Sequence, residues 1–141
     1  MATLGRIGAE IKVLATAKLT ISTATTSNFD FGTPDDVNIP STNYKSGDRL
    51  VVLFRATSAA ATSNISFSVQ DAADNGSGAI NTGSLATAIT DTPAAASGGD
   101  KSSFIGIELQ PNRPWLRFRA TNSGTEAYTC SALLLAIPNG V

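Results

Sequence analysis

Apolar and polar residues alternate along most of this chain, and no long stretch carries an apolar stripe at the 3.6-residue helical period. In "RLVVLFRAT", Leu50, Val52, Phe54 and Ala56 share one face, while Val51, Leu53, Arg55 and Thr57 share the other. In "PWLRFRAT", Leu116, Phe118 and Ala120 oppose Trp115, Arg117, Arg119 and Thr121. The tetrapeptide "FRAT" therefore occurs twice, each time with its phenylalanine inward and its arginine outward. Further strands are expected over 10–15, 19–23, 65–70, 104–109 and 128–137, with a short one near 84–89. Strands of this length, separated by clusters of Gly, Asn, Asp, Ser and Pro, predict an all-β chain folded as a jelly-roll or jelly-roll-like antiparallel β-sandwich.

The 141 residues read as one domain, 1–141, large enough to bury roughly 68% of its unfolded surface in a single core. "TNSGTE" and "TSAAATSN" have the length of tight connections, whereas a long loop region is expected over 71–103. "TPDDVNIPSTNYKSGD" is a second long surface connection, punctuated by Pro34 and Pro40. Residues 1–20 carry Gly5 and Gly8 among isolated apolar positions and read either as strand or as an extended N-terminal arm, with Arg6, Ile7 and Ile11 as its contact residues. Glu10, Lys12 and Lys18 break any apolar run there, so no secretory signal is read. The longest apolar run, 132–137, falls far short of the ~20 residues that span a bilayer, and no membrane partner is expected.

Charge adds little. Ten Lys and Arg stand against eleven Asp and Glu, a formal net charge of -1 with neither sign in a block, so the basic footprint of a nucleic-acid binder is missing. The absence of histidine and the single cysteine matter more, because they exclude His/Cys zinc sites, Ser-His-Asp triads, Cys-His pairs and an internal disulfide within the chain. Cys130, in "AYTCSALLLA", is expected to be a small buried hydrophobe. Asp35-Asp36, Asp71, Asp74 and Glu108 read as turn or cap residues, since no spacing selects a converging carboxylate pair. "DAADNGSG" places oxygen ligands near glycine but lacks the spacing and later glutamate of a calcium loop, and no phosphate-binding glycine motif is present. "NIS" at Asn64 and "NGS" at Asn75 match the glycosylation triplet, a match that chance explains. No catalytic group, metal or cofactor is expected.

What remains is the outward face of the FRAT strands. Arg55, Arg117 and Arg119, with Trp115, are of the residue types enriched at the energetic centres of protein interfaces. The competing reading is a solvated sheet face whose arginines pair with nearby carboxylates at little energetic gain. The interface candidates are thus Arg6, Ile7, Ile11, Arg55, Trp115, Arg117 and Arg119, and the three arginines Arg55, Arg117 and Arg119 form one patch only if the two FRAT strands are neighbours.

The segments "FDFG", "GDRLVVLFRAT", "SNISFSVQDAAD" and "FIGIELQPNRPWLRFRATNSGTEAYTCSALLLAI" together resemble the jelly-roll capsid cement, or decoration, proteins of tailed bacteriophages, from about Phe29 to Ile137. The resemblance rests on strand spacing and loop character and carries over no functional residue position by position. It implies a non-enzymatic protein of the virion that assembles with itself, as a homotrimer, on the outer surface of an icosahedral capsid and ties major capsid protein subunits together. The alternative is a carbohydrate- or receptor-binding β-sandwich of the fibre type, with Trp115 and Tyr128 as stacking platforms.

Overall fold

The computed structural model describes residues 11–31, 36–58, 64–93 and 100–138. Nine strands follow in chain order: β1 (Lys12–Ile21), β2 (Thr26–Asn28), β3 (Val37–Asn38), β4 (Arg49–Thr57), β5 (Ile65–Ala72), β6 (Ala86–Asp91), β7 (Lys101–Ile107), β8 (Trp115–Asn122) and β9 (Tyr128–Ile137). A front sheet has the order β1-β9-β4-β7, and a back sheet has the order β2-β8-β5-β6 with the short β3 also on β8. All pairings are antiparallel; β5 with β6, β4 with β7, β2 and β3 with β8, and β1 with β9 are nested, and β4 with β9 and β5 with β8 complete the sheets. Nesting of this kind, wrapped into two facing sheets, is the jelly roll.

Alternation sets the two layers. Leu50, Val52, Phe54 and Ala56 of β4 face Ile65, Phe67 and Val69 of β5 and Leu116, Phe118 and Ala120 of β8 in one buried cluster. Phe54 and Phe67 stack with ring centroids 4.7 Å apart, Phe29 lies 5.5 Å from Phe54, and Phe118 meets Phe54 edge-on at 6.1 Å. The two FRAT phenylalanines thus touch across the core, one from each sheet.

The start of the chain differs from expectation. The strands expected over 10–15 and 19–23 are one strand, β1, joined through Thr16, Ala17 and Lys18 and shifted in register between Val13 and Ala15. Ala17 pairs with Ala132 of β9, so two small side chains share one row, and the large apolar residues that announce a strand are missing there. Lys12–Ile21 is therefore a sheet edge rather than an arm. Arg6 and Ile7 lie outside the described residues.

The region 71–103 also carries more order than a long loop. β5 runs on to Ala72, a 3-10 turn covers Thr82–Ser84, β6 occupies Ala86–Asp91 and β7 starts at Lys101. β6 was hard to see because "ATAITD" is mostly Ala and Thr, with Ile89 its contact to the core. The tight connection between β5 and β6 is built by side chains. Asp74 Oδ1 accepts from the backbone N–H of Gly76 (2.7 Å) and Gly78 (3.2 Å), and Asn75 Oδ1 accepts from Ser77 and Ala79. Gly76 and Gly78 have φ of +87° and +77°, a conformation that costs glycine little.

Candidate protein-interaction surface

The two FRAT arginines do not meet. β4 belongs to the front sheet and β8 to the back sheet, so Arg55 points off one face of the sandwich while Arg117 and Arg119 point off the other. The adjacency on which a single arginine patch depended is absent, because inward phenylalanines in facing sheets force their neighbours in opposite directions. Arg55 is exposed and pairs with Asp100 at 3.4 Å. Arg117 is half-buried and bidentate, its Nε and Nη2 donating to Asp36 at 2.6 and 2.9 Å. Arg119 Nη1 donates to Gln70 Oε1 at 3.4 Å, and its buried Nε finds no hydrogen-bond partner.

Trp115 is not an exposed anchor. Only 4% of it is accessible, because β3 pairs alongside it through Asn38 and the β5–β6 connection reaches over, where Asp74 Oδ2 accepts from the indole Nε1 at 3.2 Å. That hydrogen bond is the leading reason why the Asp74 carboxyl sits below its ordinary value near 3.8, with desolvation opposing it and the Gly76 and Gly78 amides each adding a lesser lowering. Tyr128 is inaccessible as well, with the ammonium of buried Lys101 5.7 Å from its ring centroid. Neither residue is available as a stacking platform for a sugar.

Other candidates resolve into structure. Asp71, read as a turn residue, accepts from Arg113 Nε at 2.7 Å, while Arg113 Nη2 donates to the Asp71 and Ser84 carbonyls. This clamp joins the β7–β8 and β5–β6 connections across 42 residues of chain, a separation at which no local pattern signals it. Cys130 is 1% accessible, and burial pushes its thiol up to about 12, far from a nucleophilic thiolate. No group of three or more His, Cys, Asp or Glu placed to hold a metal ion occurs among the described residues.

The surface that the sequence reading passed over is the outer face of the front sheet. One row runs Val13, Leu135, Val51, Gly106 across β1, β9, β4 and β7, and the next runs Thr16, Leu133, Leu53, Phe104. Phe104 is 66% accessible, Val13 59% and Leu53 39%, while Leu133 and Leu135 are half-buried between them. Of the expected interface residues that are described, Arg55 lies on this face two residues beyond Leu53, and Ile11 adjoins it, 59% accessible just before β1. The signal was present in "VVLF" and "ALLLAI", where alternation gives way to runs that are apolar on both sides.

No family model and no curated protein matches the sequence. Among solved structures the chain is similar to PirA, at 12% identity and TM-score 0.49 over 87% of this chain and 95% of that one. It is also similar to the Yersinia pseudotuberculosis-derived mitogen, at 10% identity and TM-score 0.49 over 94% and 90% of the two chains. A carbohydrate-binding module from Cellvibrio mixtus lichenase 5A follows at 12% identity and TM-score 0.40, over 87% and 97%. The architecture of this chain is a two-sheet antiparallel β-sandwich, and likenesses this distant carry nothing about its role.

Proposed function

We propose that the protein is a virion structural protein of the capsid cement type, which binds the outer surface of an icosahedral phage capsid and stabilises contacts between major capsid protein subunits. The observation that carries this reading is the apolar outer face of the front sheet, because exposed contiguous apolar surface rimmed by polar residues marks contact with another macromolecule. The sequence resemblance to cement proteins supplies the kind of partner. A histidine-free chain whose reactive groups are tied into turns, ion pairs and the core fits a scaffold better than a catalyst. Copies held together on a repeating lattice gain from effective concentration, so modest individual contacts suffice.

The test is reconstitution. Capsids stripped of the protein are compared with replenished ones for resistance to heat and osmotic shock, with rebinding followed by sedimentation. Rebinding with restored resistance is expected. Capsids that are fully resistant without the protein and do not take it up overturn the reading.

A further inference from the structure

We infer that the outer face of the front sheet packs against the same face of a second copy, about a two-fold axis that runs along the strands. The inference rests on reading that face as a protein contact and names its occupant as a second copy, which leaves contact with the capsid to the other surfaces of the pair.

Size comes first. Four strands about 4.8 Å apart and the ten-residue β9 at about 3.4 Å per residue make a face of roughly 19 by 34 Å. That is about 650 Å² before side-chain relief is counted, close to the ~800 Å² per partner of a standard interface.

Shape then selects self-pairing. A two-fold axis along the strands lays β9 on β4 and β1 on β7 of the other copy, row against matching row. Leu133 then meets Leu53 of the second copy, and Leu135 lies above Val51, which is already buried in the single chain. At the edges large meets small. Phe104, the most exposed large apolar side chain, lies over Thr16, and Val13 lies over Gly106. Space above Gly106 is open, with no atom within 4 Å of where a Cβ would stand, so the exposed Val13 side chain has a notch to enter.

Charge selects the axis. Lys18 lies on the outward side of β1, and Asp100 immediately precedes β7 at the same end of the sheet. The strand-parallel two-fold sets Lys18 of each copy toward the Arg55–Asp100 pair of the other, twice over. A two-fold axis across the strands instead stacks β7 on β7 in reverse and brings Asp100 against Glu108, two like charges. Sheets packed this way cross at about 30° and lie ~10 Å apart.

The full chain is measured by light scattering and sedimentation equilibrium over a concentration series. A mass of two copies is expected, with Leu53→Lys weakening association by more than about tenfold because it buries a charge at the centre of the face. Leu53 is partly exposed in the single chain, so the circular dichroism of that variant should be retained. A Val13→Cys/Gly106→Cys variant should be bridged between two copies by a bifunctional maleimide whose reach matches the ~10 Å between facing sheets, a readout that does not depend on the charge substitution. A monomer throughout, a three-copy mass, a two-copy mass indifferent to Leu53→Lys, or failure of the cysteine pair to cross-link each overturns the inference. A monomer that still restores capsid resistance sinks the pairing and leaves the cement role standing, whereas a dimer that ignores capsids does the reverse.

Discussion

Arg117 holds Asp36 through two hydrogen bonds of 2.6 and 2.9 Å, and the Asp36 side chain is only 4% accessible. The pair fastens the chain entering β3 to the outer side of β8. Arg117→Ala strands a buried carboxylate and should cost about 3–5 kcal/mol. Asp36→Asn combined with Arg117→Met should recover most of that loss. Denaturant midpoints of the three proteins decide it, and equal midpoints for Arg117→Ala and wild type would mean that the pair contributes nothing.

Phe54 and Phe118 should behave as one unit. Each to alanine is expected to cost about 3–5 kcal/mol by opening a cavity in a core without slack. Their rings touch, so the double variant should depart from additivity by about 0.5–3 kcal/mol. A double-mutant cycle that closes at zero would show that the two sheets do not communicate through this contact.

Asp74 sets an acid response. Its carboxyl is held below the ordinary value, so the stability it contributes is complete above pH 3.8 and is lost as pH falls through the lower folded-state value. Asp74→Asn should flatten the stability curve in that acid window and leave its slope at neutral pH unchanged. The indole of Trp115, the single tryptophan, reports the same event by fluorescence. An identical acid profile in the variant refutes the link.

Cys130 should be inert while the fold lasts. With the thiol pushed up to about 12 and 1% accessible, the folded chain presents almost no thiolate at pH 8. Alkylation should therefore track unfolding in a denaturant series. Labelling in native buffer as fast as in 6 M guanidinium would place the thiol at the surface.

Period-two alternation made β4, β5, β8 and β9 legible, because each packs one face into the core and follows the sheet period along its length. β6, expected only as a short strand near 84–89, and the middle of β1, expected as a break between two strands, were faint for a shared reason: Ala and Thr have little apolar area, and these segments are held in strand by their neighbours' backbones. At the surface, the outward direction of the arginines was readable and their separation was not, since sheet membership depends on pairings across the whole chain. Trp115 shows the limit most clearly. Its parity places it outward, yet a connection beginning some forty residues earlier covers it.

The place of β9 bears on biosynthesis. It lies between β1 and β4, pairing Lys12 with Ala136 and Arg49 with Ile137. A growing polypeptide holds β1 through β8 before the strand that fills the gap in the front sheet has left the ribosome, and until then β1 and β4 present unpaired edges toward it. Closing contacts across more than a hundred residues is intrinsically slow, on the millisecond-to-second scale of β-rich domains. The vulnerable interval for misassembly therefore falls between the completion of β8 and the arrival of β9.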